Sequence, residues 1–430
     1  MQRYFSAYAG PDQFGRVASR LGIERGADMF LTGQGFDGEN RQIIGVDPCA
    51  ELIVTASTDK AALRAFAFGT PGPALGFLSY GYGLALRGVA TAKPAALPLG
   101  HFKKYEALVC YDKAAMRLDV FAATPAKAEA LLAVMHAPGP DIATDGPDQG
   151  GPDQGGPRLG TLAASLDHDG YVRGVEAVRE RIRDGHTYQL NLSIRFDAPC
   201  RALTPAHFLH LWRTRPAPMY AWFASGNRRI LSTSPERFLK VERGQVLSQP
   251  IKGTLAFEKY SPLLAGTLRR SAKEDAELSM IVDLIRNDVS ANCAFGSVRV
   301  EGHKSVMVVE NLLQMYSNVR GELREGADCV DLLLDAFPGG SVTGCPKQRS
   351  MEIIEALEPH ARDVYCGSMV ALWDERNMDS SVAIRTGWWD ADAKMFHFYA
   401  GSGITVDSDP EREYEETMAK ASKFLEMVGA

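Results

Sequence analysis

The sequence lacks any run of about 18 apolar residues, the length that a helix needs to cross a membrane. Its opening segment, MQRYFSAYAGPDQFGR, also lacks the apolar core of a signal peptide. The seven cysteines are odd in number and never stand in C-x-x-C spacing, which argues against a disulfide framework and against a zinc site. These absences predict a soluble protein of the cytoplasm with no membrane partner.

The chain also lacks an excess of positive charge. Lys and Arg total 47 against 53 for Asp and Glu, and this net charge of −6 argues against a nucleic-acid partner. Apolar residues make up 45% and charged residues 23% of the 430 positions, which excludes a fibrous or largely disordered chain. An acidic protein can still bind a small anion where a few cations or a metal are placed locally.

One segment is low in complexity. The doubled GPDQG of residues 146–157 contains no apolar side chain and is predicted to be a solvated linker loop. We therefore divide the chain into an N-terminal region of residues 1–145, the linker at 146–157 and a larger region of residues 158–430. The first region does not concentrate catalytic residue types, so we assign it a structural or regulatory role.

Hydrophobic patterning predicts an α+β fold with mainly antiparallel sheet, because hairpin signals alternate with amphipathic helices. The segments RQIIGVDPCAELIVTA and ALGFLSYGYGLAL are expected to be strands, and YEALVCYDKAAMRLDVFAA a hairpin that turns around residues 112–115. Helices are predicted from Pro125, over HDGYVRGVEAVRERIRDG as far as Gly185, over SAKEDAELSMIVDLIRNDVS, over CPKQRSMEIIEALEP and from Pro410. Further strands are predicted over TYQLNLSIRFDA, SMVALWD, SSVAIRTGWW and MFHFYAG.

Two of these helices each carry a Glu-x-x-Glu pair, Glu274 with Glu277 and Glu413 with Glu416. Residues at i and i+3 share a helix face, so each pair places two mutually repelling carboxylates side by side. A hard divalent cation such as Mg²⁺ relieves that repulsion and prefers oxygen ligands of this kind. The alternative is a solvated helix face on which Glu416 pairs with Lys420 at i,i+4, and the spacing leaves it open.

An acid and an amine flank the segment RFLKVERGQVLSQPI, with Glu236 before it and Lys252 after it. A three-residue loop with Gly244 in the left-handed conformation would pair Val241 with Gln245. The acid and the amine would then lie on one face of the sheet, whereas a two-residue turn would place them on opposite faces. Together they could act as general acid and nucleophile, or form an ordinary salt bridge.

Three more features allow a functional and a structural interpretation. Arg385, inside the predicted strand SSVAIRTGWW, is either an edge residue that reaches water or a fork for a carboxylate. The triplet Gly401-Ser402-Gly403 is either a turn or a loop whose bare amides approach an anion. The Gly-rich FPGGSVTGCPK of residues 337–347 lacks the order of a nucleotide P-loop and is consistent with a strand-to-helix connection.

Taken together, several segments resemble the chorismate-utilising enzymes, the family of anthranilate, aminodeoxychorismate, isochorismate and salicylate synthases. In the family's order they are TYQLNLSIRF, SPERF, PIKGT, SAKEDAELSMIVDLIRND, FPGGSVTGCPK, YCGS, MDSSVAIRT and AGSGITVDSDPEREYEET. They cover most of residues 165–425, and their joint match is highly specific. The first third resembles the weaker N-terminal region of the family.

The resemblance implies a layered α/β/β/α body that binds Mg²⁺ and the dicarboxylate chorismate. By motif, Glu277 and Glu416 resemble direct Mg²⁺ ligands, with Glu274 and Glu413 beside them through water. The substrate-binding residues that it implies are Gln189, Thr254, Tyr365, Arg385, Gly401, Ser402, Gly403 and Lys420. A metal and local cations suit the physics, because a dianion in an acidic protein needs positive charge nearby.

Three positions discriminate among members of the family. Isochorismate and salicylate synthases have a water-activating Lys where this chain has Gln189, so ammonia is the expected nucleophile. Anthranilate synthases typically have Ala where PIKGT has Lys252, which resembles aminodeoxychorismate synthase and implies attack on ring C2 with Glu236 as acid. Gln314 stands where anthranilate synthases have a His linked to pyruvate elimination. All three favour amination of chorismate at C4, for para-aminobenzoate and folate synthesis.

No glutaminase signature is visible, so a separate glutamine amidotransferase subunit is the expected source of ammonia. The first alternative is the activity of anthranilate synthase component I, which releases anthranilate and pyruvate. The second is a non-catalytic subunit that senses chorismate or tryptophan. The presence of acid, amine and metal-binding residue types favours an enzyme over a sensor.

Overall fold

The computed structural model describes residues 1–33, 41–137, 161–215, 217–257, 261–309 and 312–429, so the linker predicted at 146–157 lies outside the described residues. The helices are α1 (Pro11–Arg25), α2 (Lys60–Phe68), α3 (Tyr80–Leu86), α4 (Pro125–His136), α5 (His168–Arg183), α6 (Pro205–Thr214), α7 (Pro262–Arg269), α8 (Ala272–Ser290), α9 (Cys329–Ala336), α10 (Lys347–Leu357) and α11 (Pro410–Val428). Within the described ranges, none of them is both long enough and apolar enough to cross a membrane.

The strands form a continuous antiparallel network. They are β1 (Gln2–Tyr8), β2 (Asp28–Thr32), β3 (Arg41–Val54), β4 (Ala74–Leu78), β5 (Gly100–Asp112), β6 (Arg117–Ala122), β7 (Ala163–Ala164), β8 (Gln189–Pro199), β9 (Met219–Ser225), β10 (Arg228–Ser234), β11 (Arg237–Glu242), β12 (Gln245–Gln249), β13 (Ile251–Ala256), β14 (Arg299–Val309), β15 (Leu312–Glu322), β16 (Gly344–Cys345), β17 (Ser368–Asp374), β18 (Asn377–Val382), β19 (Thr386–Asp390) and β20 (Met395–Ile404).

Strand β5 joins two sheets. The first sheet has the order β1-β6-β5-β3-β2-β9-β10-β19-β20-β8. The second sheet leaves β5 through β4 and continues β17-β18-β11-β12-β15, with β13 and β14 also paired to β15. Because all these pairs are antiparallel, the predicted sheet type is confirmed.

The layering follows from the alternation of side chains along the strands. In β9, Trp222 packs in one hydrophobic cluster and Phe223 in another, and Leu231 and Ile230 of β10 divide in the same way. Successive side chains point to opposite faces, so the first sheet is buried on both of its faces. One cluster contains residues of α1, α4, α5, α6 and α11, and the other contains residues of the second sheet, α2, α8 and α9. This arrangement confirms the predicted layered α+β fold.

Most predicted elements are confirmed. The hairpin of β5 and β6 turns after Asp112, whose side chain accepts hydrogen bonds from two N–H groups of the turn. The helix expected to stop at Gly185 is α5, and Gly185 follows it with a positive φ of 76°. The last helix begins at Pro410, with Asp409 accepting a hydrogen bond as its N-cap. These features are local, so the sequence was sufficient to predict them.

The segment ALGFLSYGYGLAL is only partly a strand. Residues Ala74–Leu78 form β4, whereas Tyr80–Leu86 form helix α3. The expected strand is therefore wrong for its second half. Tyr80 and Tyr82 are almost completely buried in the core, so tertiary packing overrides the preference of aromatic residues for strands.

The turn between β11 and β12 also differs from the expected three-residue loop. Glu242 pairs with Gln245, which leaves a two-residue turn. Its residues, Arg243 and Gly244, have φ values of 52° and 80°. Two successive positive φ values are typical of the hairpin turn that matches the twist of the strands.

A β-bulge in β11 offsets the effect of that turn. The two-residue turn alone would place Glu236 and Lys252 on opposite faces of the hairpin. Between Arg237 and Lys240 the register shifts by one residue, so that Arg237 pairs with Gln249. The shift restores the facing expected for the acid and the amine, and both line one cleft.

Candidate active site

One cleft of about 590 Å³ contains most of the predicted site residues. Its walls come from β13, β15, β20, α8, α11 and the connections around them. The predicted residues that line it are Glu236, Lys252, Glu274, Glu277, Tyr365, Arg385, Gly401, Gly403, Glu413, Glu416 and Lys420. Gln189 and Ser402 are buried and do not line it, and the side chain of Thr254 lies outside the described residues.

Glu236 lies between β10 and β11 and is only 4% exposed. Burial raises the pKa of its carboxyl to about 7, although a hydrogen bond with Ser341 and the charge of Lys252 both act to lower it. Desolvation disfavours the charged form, so a large fraction of this side chain carries a proton near neutral pH. A protonated carboxyl in a cleft can act as a general acid.

Lys252 extends from β13 toward β20. A Cβ atom built on Gly403 would lie 2.9 Å from Lys252 Nζ and 2.6 Å from Gln189 Nε2. A larger residue at position 403 would therefore displace the ends of both side chains. The amine thus lies close to Gln189, whose Oε1 is buried without a hydrogen-bond partner among the described residues.

The triplet Gly401-Ser402-Gly403 is part of strand β20 and not a loop or a turn. Its two glycines lie opposite Ser193 and Asn191 of β8. The N–H groups of those two residues donate to a buried glutamate and to a backbone carbonyl, both outside β20. By the alternation of an antiparallel ladder, the two glycines direct their own N–H groups away from β8. Because both glycines line the cleft, the predicted approach of bare amides to an anion is geometrically possible.

Ser402, whose backbone amide the resemblance assigns to the substrate together with those of the two glycines, requires a correction. Its hydroxyl lies 2.8 Å from the hydroxyl of Tyr171, in the buried layer between β20 and the helices. Since successive side chains of a strand point to opposite faces, Ser402 points away from the cleft that its neighbouring glycines line. By the same alternation its N–H group points toward β8, so neither its side chain nor its amide is directed at the cleft.

Arg385 does not lie inside a strand, which is a second correction. Strand β18 ends at Val382 and β19 begins at Thr386, so the segment SSVAIRTGWW is interrupted. Arg385 has a φ of 47°, and its carbonyl accepts a hydrogen bond from the N–H of Thr233. The left-handed backbone removes this residue from the alternation of a strand, and it lines the cleft. A guanidinium there can form a planar, two-donor contact with a carboxylate.

Tyr365 contributes an aromatic wall next to these groups. Its ring stacks on that of Tyr399 with 5.1 Å between the ring centroids and an angle of 8° between the planes. Burial holds the pKa of Tyr365 well above its usual value, although the neighbouring side chain of Asn191 acts to lower it. The hydroxyl therefore stays protonated and can donate a hydrogen bond.

Helices α8 and α11 present their Glu-x-x-Glu pairs to the same cleft. Glu413 is 4% exposed, and its carboxylate accepts a hydrogen bond of 2.7 Å from Ser408. Lys420 Nζ lies 2.6 Å from Glu416 Oε1, so the i,i+4 pair of the structural alternative is present. The same amine donates to the carbonyl of Gly401 at 3.2 Å, so the pair lies at the cleft and not on a remote helix face.

The resemblance implies Mg²⁺, and the carboxylates of the two helices allow a test of fit. Among the described residues, no three acidic, His or Cys side chains converge closely enough to hold a metal ion by themselves. Mg²⁺ usually takes one or two protein carboxylates and completes its shell with water and substrate oxygens. Four carboxylates from two helices line one cleft and meet that smaller demand. The residues therefore fit Mg²⁺ held jointly with an anionic ligand.

Sequence reasoning missed several polar residues of the cleft, which are Asn191, Ser341, Ser422 and Lys423. Ser341, in the connection at 337–347, contacts Glu236, and Asn191 contacts Tyr365. Asn191 stands two residues after Gln189 in a predicted strand, and that period of two could have placed it on the same face. Ser341 offered no comparable signal, because its segment has no regular period.

Comparison with known proteins adds a family relationship. The family model described as chorismate binding enzyme matches residues 30–426. Aminodeoxychorismate synthase component 1 of Klebsiella aerogenes is 38% identical over 270 residues, which are 62% of this chain and 59% of that protein. Anthranilate synthase component 1 of Thermus thermophilus is 37% identical over 273 residues, which are 62% of this chain and 58% of that protein. The chain thus spans less than two thirds of the length of these relatives.

A solved structure extends the similarity beyond the region of high sequence identity. The crystal structure of anthranilate synthase component I from Streptococcus pneumoniae TIGR4 superimposes with a TM-score of 0.79 at 25% identity. The superposition covers 91% of this chain and 93% of that one. With a family model that matches nearly the whole chain, this protein belongs to the family of chorismate-binding enzymes.

Proposed function

We propose that this protein aminates chorismate at C4, the reaction of aminodeoxychorismate synthase component I, and thereby serves para-aminobenzoate and folate synthesis. The observation that supports the proposal best is the meeting of Lys252 and Glu236 in one cleft, with Gln189 beside the amine. A nucleophile, a proton donor and a neutral amide at one place suit a substitution in which ammonia replaces a hydroxyl. The protein would accordingly be a Mg²⁺-dependent transferase.

In the proposed first step, Glu236 protonates the C4 hydroxyl of chorismate and the C4–O bond breaks with loss of water. The amine of Lys252, in its neutral form, bonds to C2 as the ring double bonds shift toward C4. Ammonia then bonds to C4, the double bonds return and the C2–N bond to Lys252 breaks. The new ammonium group returns a proton to Glu236. Acid and amine are restored, an amino group has replaced the C4 hydroxyl, and one ammonia has been consumed for each water released.

Substrate binding is proposed to rest on groups that surround the acid and the amine. The residues assigned to the carboxylates of chorismate are Tyr365, Arg385, Lys420 and the backbone amides of Gly401 and Gly403. Their chemistry supports the assignment, because guanidinium, ammonium, phenol and amide groups are all hydrogen-bond donors. Gln189 is assigned to the entering ammonia, since a carboxamide cannot activate water as a lysine can.

Magnesium is proposed as the cofactor. Glu277 and Glu416 would be its direct ligands, with Glu274 and Glu413 beside them through water. When bound, the ion supplies positive charge that offsets the carboxylates of protein and substrate. Because the four carboxylates repel an anionic substrate, chorismate would bind together with, or after, a cation.

Ammonia is proposed to come from a glutamine amidotransferase subunit. The aminodeoxychorismate synthase relatives are named component 1, which supports a partner subunit for this chain. An ammonium salt should replace that partner, since the cleft needs only the free base of ammonia. Amination with an ammonium salt, and none with glutamine alone, is the expected result for the isolated chain.

Anthranilate synthase component I remains the second candidate, because relatives of that name match at almost the same identity. That reaction also eliminates pyruvate, a step linked in anthranilate synthases to a His at the position where this chain has Gln314. Gln314 is 3% exposed, lines the cleft and lies opposite Thr254 in the β13–β15 ladder. A carboxamide does not take up a proton near neutral pH, which disfavours the elimination.

Chromatography of the products separates the two candidates. Chorismate, Mg²⁺ and an ammonium salt should yield a product that becomes para-aminobenzoate only after an aminodeoxychorismate lyase is added. Release of anthranilate without the lyase would select the second candidate. Binding of chorismate with no product under any condition would instead favour a sensor.

Lys252 provides the sharpest test of the mechanism. Without ammonia, chorismate should slowly add one substrate-derived mass to the peptide that contains Lys252, as measured by mass spectrometry. Lys252→Ala should lose most C4 amination and retain chorismate binding, because its neighbours still supply donors to the carboxylates. Lys240→Ala is the control, since Lys240 lies on β11, pairs with Glu242 at 3.3 Å and does not line the cleft. Wild-type amination by Lys252→Ala would overturn the covalent step.

A further inference from the structure

Three hydroxyl groups meet behind the cleft, on the face of β20 opposite to it. Tyr171 of α5 places its hydroxyl 2.8 Å from Ser402 Oγ on β20 and 2.8 Å from Thr417 Oγ1 on α11. It also lies 3.4 Å from the carbonyl of Leu192 on β8. All three hydroxyl-bearing side chains are completely buried. One phenol thus joins two helices and two strands by directional contacts.

The partners of this phenol belong to the two elements that supply polar groups to the cleft. Thr417 stands on α11 among Glu413, Glu416 and Lys420, which line the cleft. Ser402 stands between the two glycines of β20 that line it from the other side. The three-hydroxyl cluster therefore links α11, which carries the carboxylates, to β20, which carries the glycine amides. Its residues on both elements are sequence neighbours of those that line the cleft.

Besides this cluster and the hydrogen bond from Lys420 to the carbonyl of Gly401, α11 also packs on β20 through apolar side chains. Ala421 and Phe424 of α11 lie in the hydrophobic cluster with Phe396 and Phe398 of β20. Apolar burial is strong but non-directional, so it allows a helix to slide or turn by a fraction of a residue. Hydrogen bonds between buried hydroxyls depend steeply on distance and angle, so they specify one setting of the helix.

We propose that Tyr171 is a positioning residue that holds α11 in register with β20 and so sets the separation between the α11 carboxylates and the glycine amides. Its catalytic meaning rests on the proposed function, whereas the register itself does not. Electrostatics supports the placement. Burial raises the pKa of Tyr171, and the charges of Glu413 and Glu416 raise it further, so the phenol lies within electrostatic reach of both carboxylates.

The test uses variants that remove one hydroxyl and keep the side-chain shape. Tyr171→Phe removes the central group, and Thr417→Val removes only the contact of α11. Tyr111→Phe is the matched control, because Tyr111 is a buried tyrosine of the same hydrophobic cluster whose hydroxyl has no hydrogen-bond partner in the described part of the chain. The first measurement is hydrogen–deuterium exchange of peptides from residues 410–428 without ligand. The second is calorimetry of Mg²⁺ binding with chorismate present.

Tyr171→Phe and Thr417→Val should speed exchange in residues 410–428 and weaken Mg²⁺ binding about tenfold, the usual effect of losing a group that orients a metal ligand. The double variant should show no faster exchange and no weaker Mg²⁺ binding than the more affected single variant, because both substitutions break the same contact between Tyr171 and Thr417. Tyr111→Phe should match the wild type in both measurements. Unchanged exchange in residues 410–428 of both variants would overturn the inference. If the wild type itself binds no Mg²⁺, the metal assignment fails, and exchange alone decides whether Tyr171 positions α11.

Discussion

Glu236 owes its chemistry to burial. Its carboxyl would titrate at 4.5 in water, and burial raises the pKa to about 7 in the folded protein. The folded state binds this proton more tightly than the unfolded state. The free energy of unfolding therefore falls as pH rises from the pKa of the unfolded state, 4.5, to that of the folded state, about 7. The buried carboxyl of Glu236 is thus partly protonated near neutral pH, and its burial lowers the free energy of unfolding of the protein at neutral and higher pH.

We expect Glu236→Gln to raise the free energy of unfolding at pH 8 by up to about 3 kcal/mol relative to the wild type. The difference in the free energy of unfolding between variant and wild type should shrink as pH falls from about 7. It should vanish below about pH 4.5, where the carboxyl is protonated in both the folded and the unfolded state. Urea unfolding at several pH values measures it. Amination should fall by more than about 100-fold, because a carboxamide cannot donate the proton. A stability difference that does not change with pH would contradict the assignment.

Arg385→Lys keeps the charge and removes the planar fork of donors. If Arg385 binds a carboxylate with two donors, the Michaelis constant for chorismate should rise by roughly tenfold, within the range of about 1–3 kcal/mol for a charged hydrogen bond. Arg117→Lys is the control, since Arg117 pairs with Asp119 at 3.0 Å on β6 and does not line the cleft. An unchanged Michaelis constant would remove Arg385 from the substrate site.

At the scale of elements, the helices α8 and α11 bring four carboxylates to one cleft from positions about 140 residues apart in the chain. Helix caps position them: Ser271 accepts the N–H of Glu274, and Asp409 accepts that of Arg412. These caps fix where each helix begins, and the i,i+3 spacing places the two glutamates of each helix on one face. The packing of each helix on its sheet then sets how far each pair enters the cleft.

If these helices hold a cation, Glu277→Gln and Glu416→Gln should each raise the Mg²⁺ concentration needed for half-maximal amination by about tenfold or more. Excess Mg²⁺ should restore part of the activity, because weaker binding is overcome by mass action. Glu415→Gln is the control, since Glu415 neighbours Glu416 on α11 and does not line the cleft. Circular dichroism should show intact folding in all three. Normal turnover by either site variant at low Mg²⁺ would exclude its ligand role.

For the whole molecule, the two main hydrophobic clusters each contain residues from both predicted regions. Leu63 of α2 and Leu278 of α8 are completely buried in the same cluster. An ion pair of 3.1 Å between Arg64 and Asp331 also joins α2 to α9. A core shared in this way couples the folding of its parts.

Leu63→Ala and Leu278→Ala should each lower the free energy of unfolding by about 2–5 kcal/mol and should shift a single transition. Tryptophan fluorescence makes the test sharp, because all five tryptophans lie at residue 212 or later. A change at Leu63 in the N-terminal region should therefore move a signal from the larger region. Coincidence of this signal with far-ultraviolet circular dichroism is the second readout. Two separate transitions would show that the regions unfold independently.

The amino-acid sequence by itself determined the local elements, the sheet type and most of the residue types in the cleft. Caps, turn residues and periodicity act over a few residues, so Asp409 and Pro410 were sufficient to predict where α11 begins. The family segments likewise placed acid, amine and carboxylates in one site, and the cleft contains them together. Helix ends and tight turns depend mainly on residues that lie close together in the chain, so the sequence alone was sufficient to predict them.

Only the tertiary structure decided the direction of Ser402, the backbone of Arg385 and the pKa of Glu236. Ser402 faces the helices because of its register with β8, and Glu236 meets Lys252 because a bulge offsets a two-residue turn. Burial raises the pKa of Glu236 to about 7, although a hydrogen bond with Ser341, about 100 positions away in the chain, acts to lower it. Register, bulges and burial depend on partners that are remote in sequence, so no local pattern specifies them.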